Sequence, residues 1–178
     1  MTAARRVGLM SLDDWRALGE DSVGRSELQE GVLIVSPSPL PRHQKAGFGL
    51  GMQVFPQLPD EFELVPDVDV VIEEKFPPTV RRPDLVVRQV SSASRITADQ
   101  VLLVVEILSP GTRRQDLVTK RSEYADAGIP HYWIVDLDSG PSVEALRLED
   151  GAYVGDVVTG VLETTVPFDL RVDIDALA

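Results

Sequence analysis

The stretch Val101-Leu102-Leu103-Val104-Val105-Glu106-Ile107-Leu108 decides how this chain folds. Its apolar residues run on without polar alternation, the pattern of a strand buried on both faces. Ser109-Pro110-Gly111-Thr112 ends the run. A helical pattern then covers about 114–127 and stops at Gly128, with Pro130 just beyond, and Tyr132-Trp133-Ile134-Val135-Asp136 reads as a second buried strand. Strand, helix and strand in this order and at this length predict a parallel βαβ unit.

Glu106 sits where an acid should not be, and so does Asp84, which opens the run Pro83-Asp84-Leu85-Val86-Val87. A lone carboxylate in such a strand costs several kcal/mol, so each must be neutral, paired or metal-bound. Neighbouring strands lie about 4.8 Å apart, close enough for one carboxylate from each to grip the same cation. Two hard oxygens plus a backbone carbonyl suit Mg²⁺. The competing reading has Asp84 capping a strand start and Glu106 ion-paired to an arginine. Lys120 is equally open. Its flexible stem could bring the ammonium back over the strand end, or it could form an i,i+4 pair with Asp116, worth only about 0.3–0.5 kcal/mol at the surface. Leu108 holds the place where the simplest lysine partner would stand.

Outward from this region, Ser11 with Asp14 predicts an N-capped helix through about Leu18. Residues 26–35 predict a hairpin around Glu30-Gly31 or one bent strand. The prolines of 36–41 make a loop, and a helix follows from Arg42 to about Leu58. Its Gly47, Gly49 and Gly51 each cost roughly 1 kcal/mol against alanine, which argues for close packing. Further strands are predicted near 62–74 and 83–90, then at 143–148, 152–158 and 161–166, with turns at Asp138-Ser139-Gly140 and Glu149-Asp150-Gly151. The expectation is one mixed α/β domain over residues 1–178: a central sheet flanked by helices, with antiparallel strands towards the C-terminus.

Composition narrows the function classes. The 178 residues are 43 % hydrophobic and 26 % charged, as in ordinary globular chains. The absence of cysteine excludes disulfides, thiolate zinc sites and cysteine nucleophiles. No apolar run approaches the roughly 20 residues that span a bilayer, and residues 1–10 lack the apolar segment of a signal peptide. A cytoplasmic protein without a membrane role is expected. The net charge of −12 argues against a general nucleic-acid coat protein. Acids dominate residues 129–178, where only Arg147 and Arg171 are basic. Four local basic pairs (Arg42 with Lys45, Arg81 with Arg82, Arg113 with Arg114, Lys120 with Arg121) lie earlier, as a positive rim or as solvated surface charge. His43, near a helix N-terminus where a phosphate could bind, reads foremost as a surface or structural histidine. Gly47–Gly51 lies within a helix pattern and lacks dinucleotide-loop spacing. Tyr132 and Trp133 read as core, and Ser109 has no triad around it.

Taken in order, Pro83-Asp84-Leu-Val-Val, Val105-Glu106-Ile-Leu-Ser109-Pro110-Gly-Thr112-Arg113, Asp116, Lys120-Arg121, Tyr124-Ala125 and Gly128-Ile-Pro-His-Tyr132-Trp133-Ile-Val-Asp136 closely resemble the Uma-type restriction-endonuclease family, a branch of the PD-(D/E)XK nuclease superfamily. Glu27-Leu-Gln-Glu30-Gly31-Val-Leu-Ile-Val-Ser-Pro matches that family's N-terminal hairpin and Arg42-His43-Gln44 its helix start, so the likeness runs from about residue 11 to 175. The resemblance implies a restriction-endonuclease-like fold with Asp84 and Glu106 as metal ligands, the carbonyl of Ile107 as backbone ligand and Glu27 as an additional acid, a second metal ligand or a contact to the metal through water. It implies that the catalytic lysine has migrated from the strand to the helix, as Lys120. Mg²⁺ is the implied ion, with Mn²⁺ as substitute, and DNA the implied substrate, cut by in-line hydrolysis; a homodimer would suit cleavage of two strands. Ser26 departs from the family's usual tyrosine before the acid. Two other readings remain: a non-catalytic nuclease-fold binding protein, which the net charge favours, and a phosphodiesterase acting on RNA or a smaller substrate.

Overall fold

A computed structural model describes residues 8–19, 25–109, 111 and 113–178. Residues 1–10, expected not to be a signal peptide, fall largely outside the described residues, as do Pro110 and Thr112 of the turn predicted after the decisive strand.

That strand is β8 (Val101–Ile107). It runs parallel to β9 (His131–Asp136), with Glu106 opposite Ile134, so the βαβ crossover is present as predicted. The crossover has two parts: a wide π-helical segment, Gln115–Lys120, and an α-helix, α3 (Arg121–Asp126). Gly128 ends it at φ 77°, with Gly128 and Ile129 donating their N–H groups back to Ala125 and Tyr124. On its other edge β8 pairs antiparallel with β6 (Leu85–Gln89), and β6 with β3 (Phe62–Pro66). Beyond β9 come β10 (Ser142–Glu149) and β11 (Ala152–Val158), which complete a six-stranded sheet.

β8 is buried on both faces. Leu103, Val105 and Ile107 point into one core with Trp133 and Val135. Val104 points into the other with Tyr124, Ile129, Tyr132 and Ile134. The first core is covered by α2 (Pro41–Val54), whose Ala46, Leu50 and Val54 face inward at helical spacing. Here the close packing expected of the helix glycines is visible. A Cβ on Gly47 would stand 3.3 Å from Ile107 Cδ1, and one on Gly51 3.5 Å from Leu64 Cδ2.

A second, five-stranded sheet contains the hairpin β1 (Ser26–Gln29) and β2 (Val32–Val35), followed in order by β5 (Thr79–Arg81), β4 (Val70–Glu73) and β7 (Ile96–Thr97). The hairpin, and not one bent strand, is the arrangement present of the two the sequence allows; it turns at Glu30 and Gly31, both at positive φ. The short helix α1 (Leu12–Ala17) carries the expected capping box between Ser11 and Asp14.

Three expectations need correction. The strand near 62–74 is two strands in two different sheets, because Asp67 takes φ 48° and donates its N–H to the Asp84 carbonyl, turning the chain out of the first ladder. The strand near 161–166 is shorter, β12 (Val161–Thr164), and pairs with β13 (Leu170–Asp173) as a separate ribbon. The helix expected to reach Leu58 ends as α-helix at Val54, with a 3₁₀ turn over Phe55–Gln57 where Pro56 removes a backbone donor. The mixed α/β class holds. Among the described residues no helix is long and apolar enough to cross a membrane.

Candidate active site

β6 and β8 set the acids against each other. Leu85 pairs with Val105, so one residue further the same register puts Asp84 opposite Glu106. Ile107 donates its N–H to Asp84 Oδ2 at 2.7 Å, which locks the aspartate at the strand end.

Lys120 meets Glu106, and not Asp84, from the crossover. Its Nζ lies 2.8 Å from Glu106 Oε1, 3.0 Å from Glu27 Oε1 and 3.3 Å from Asp116 Oδ1. The i,i+4 contact with Asp116 therefore exists, but buried and as one of three, not as a surface pair. The π-helical segment turns Asp116 and Lys120 both inward while Val118 stays exposed. Tyr124, one turn after Lys120, donates its hydroxyl to the same Glu106 oxygen at 2.8 Å and stacks edge-on against Tyr132.

Glu27 arrives from β1 in the other sheet. It accepts from the Arg82 backbone N–H at 3.1 Å and pairs with Arg81 at 3.0 Å. Arg81 is fully buried and also makes a bidentate bond to Glu123, at 2.6 and 2.7 Å. Sequence reasoning missed this arginine's role because its partners are distant along the chain.

It also missed the partners of Asp84. Arg25 Nη2 lies 2.7 Å from Asp84 Oδ1, and His43 Nε2 lies 3.2 Å from Asp84 Oδ2 and 3.0 Å from the Ile107 carbonyl. Both neighbours of that nitrogen are acceptors, so Nε2 carries a proton and shares it between them. His43 is thus no surface histidine. Gly47, one turn on from it, makes the contact possible by letting α2 approach Ile107 closely.

The electrostatics follow from this packing. Burial raises the Glu106 carboxyl, Lys120 opposes it, and the nearby Asp116, Asp84 and Glu27 add to the rise, leaving it pushed up to about 8. Against its burial, Lys120 is held above the usual lysine range by Glu106, Glu27 and Asp116. Burial also works against charge on Asp84 and Glu27. His43 and Arg25 nonetheless keep Asp84 below the usual carboxylate range, and Lys120 and Arg81 do the same for Glu27.

Among the described residues no three carboxylates or imidazoles form a ready-made metal cage. Asp84 Oδ2 and the Ile107 carbonyl do converge, on the His43 N–H. A donor that bridges two oxygens in this way stands where a cation could. Burial first, and then the neighbouring carboxylates, make charge on Glu106 costly, and the oxygen donors of Asp84, Glu106 and Ile107 are of the hard kind that Mg²⁺ takes. The residues present fit such an ion, provided His43 yields its place.

Residues 12–174 match the model of the Uma2 family, whose description reads "Putative restriction endonuclease". The fold is similar to that of a solved structure described as a putative nuclease belonging to DUF820 from Anabaena variabilis ATCC 29413. The TM-score is 0.71 and the identity 20 %, with 94 % of this chain and 97 % of that chain covered. No curated protein matches the chain in sequence.

Proposed function

The chain belongs to the Uma2 family, and from that premise we propose that it is a divalent-metal-dependent nuclease hydrolysing phosphodiester bonds of DNA. The observation that carries the reading is the buried Asp84 in register with the buried Glu106 across β6 and β8, with Glu106, Glu27 and Asp116 gathered on Lys120. Asp84, Glu106 and the Ile107 carbonyl would hold Mg²⁺ or Mn²⁺, with Glu27 beside them. When bound, such an ion polarises a phosphate oxygen and lowers the pKa of a coordinated water.

The remaining roles belong to the chain. Lys120 keeps its proton, so it is suited to donate a hydrogen bond to the attacking water or to the charged phosphoryl oxygens, and not to act as general base. Tyr124 and Lys120 together fix the Glu106 oxygen. Glu27, held by Arg81 and the Arg82 N–H, positions Lys120 from the other sheet. Water adds to phosphorus in line with the leaving oxygen, the P–O bond breaks, and the proton lost by the water ends on solvent or on the departing alkoxide.

Purified protein with Mg²⁺ or Mn²⁺ should nick plasmid DNA. Asp84→Asn and Glu106→Gln, both close in shape to the originals, should abolish nicking and weaken Mn²⁺ binding in calorimetry while circular dichroism stays native. Nicking that survives both changes refutes the assignment. One observation favours a second reading, a non-catalytic nuclease-fold binding protein: Arg25 and His43 already satisfy Asp84 without any ion. Under that reading Mn²⁺ does not bind at this site.

A further inference from the structure

We propose that the cleft beside Asp84 is a nucleobase-stacking groove, and that the substrate of this site is single-stranded DNA. The inference rests on the nuclease reading and specifies its substrate. The cleft encloses about 410 Å³. That lies in the range of small-molecule pockets, roughly 300–1,000 Å³, and is roomy enough for a base with its sugar. Asp84, His43 and the Ile107 residue line one end, so the cleft opens directly from the candidate metal ligands. Its wall is apolar, made by Phe48, Met52 and Phe55 with Leu64 across from them.

Three further observations carry the assignment. First, Phe48, Met52 and Phe55 are 73 %, 62 % and 67 % exposed, although the opposite face of α2 is packed in the core. Spaced at i, i+4 and i+7, they form one stripe, with the two rings about 10 Å apart along the helix. Two exposed rings leading away from a phosphodiester-cleaving centre are what successive unpaired bases stack on, because every base has a π-face.

Second, the chain offers little to a phosphate backbone. The basic pairs noted in the sequence are largely engaged by acids: Arg81 by Glu27 and Glu123, Arg82 by Asp69, Arg113 by Asp136, and Arg121 by Glu144. With a net charge of −12, a rigid duplex tracked along its phosphates would be repelled. A single strand carries about half the phosphate charge per unit length of a duplex and is repelled less, while base stacking supplies attraction that needs no phosphate contact. Third, Gln44 lies one turn before Phe48, exposed and lining the same cleft, so its amide can meet a base edge.

The test uses the full chain in Ca²⁺, which permits binding without cleavage, and a fluorescein-labelled oligo-dT with a blunt duplex of equal length beside it. The oligonucleotide should bind more tightly than the duplex. Phe48→Ala should weaken oligonucleotide binding by roughly 5- to 100-fold, and Phe48→Trp should restore it. Circular dichroism should be native in both, since the ring is exposed. In Mg²⁺ the same Phe48→Ala change should raise KM for the oligonucleotide and leave kcat nearly unchanged. Unchanged binding in Phe48→Ala, or a preference for the blunt duplex, overturns the groove even where cleavage occurs. A Phe48-dependent dimer in sedimentation that does not bind the oligonucleotide overturns it too, and gives this face to a second copy of the chain. Phe48-dependent binding without any cleavage upholds the groove and rejects the nuclease reading.

Discussion

Glu106→Gln should abolish the pH dependence of stability that this group imposes on the metal-free protein. Glu106 is buried, and its carboxyl is pushed up to about 8 from an ordinary 4.5. Between those values the native protein holds one proton on this group that the unfolded chain has released. The contribution of this group to stability therefore falls as pH rises, by roughly 1 kcal/mol per pH unit, and levels off above about pH 8. Glutamine mimics the neutral form: its amide oxygen can accept from both Lys120 and Tyr124, as Glu106 Oε1 does. The variant lacks the titration. Urea denaturation of both proteins at pH 5, 6, 7 and 8 reads the difference directly. From pH 5 to 7 the wild type should lose roughly 2 kcal/mol relative to the variant. Parallel profiles would refute the claim that burial and the neighbouring carboxylates keep Glu106 protonated in the native protein. Mn²⁺ supplies a readout of the opposite sense: binding should release a proton near pH 7 and tighten as pH rises to 8, because the ligand must ionise.

Arg81→Met should cost about 3–5 kcal/mol in urea denaturation, since it strands Glu123 and takes one of the charge partners of the buried Glu27, at a side chain with no exposed surface. Gly155→Ala should destabilise the protein by about 1–3 kcal/mol, read as a lower thermal midpoint, because a Cβ there would overlap the Ala145 carbonyl across the β10–β11 ladder.

Glu106 stands out in the sequence because it interrupts an apolar run and Asp84 because it opens one, and the crossover is legible because its length admits few connections. The hairpin announced itself through Glu30-Gly31. The break after Pro66 did not, since Phe62–Glu73 keeps its apolar character while changing sheets. Lys120 was ambiguous for a physical reason. Its local partner Asp116 is visible at i+4 spacing, whereas Glu27 and Glu106 become neighbours only through tertiary packing. Nothing local in the sequence marks His43; what places it on Asp84 is the close approach that Gly47 allows. Arg25 and Arg81 carry no local signal at all. The wide turn over Gln115–Lys120 likewise escapes a 3.6-residue periodicity argument.

Lys120 joins carboxylates from two different sheets, Glu27 on β1 and Glu106 on β8. The residue assigned to chemistry is thereby also a clasp, and the two duties cannot be separated by deletion. A Lys120→Ala protein that does not cut DNA could be chemically disabled or could merely have let its sheets part. Inactivity in that variant speaks for a chemical role only when the spacing between the sheets is shown to survive the loss.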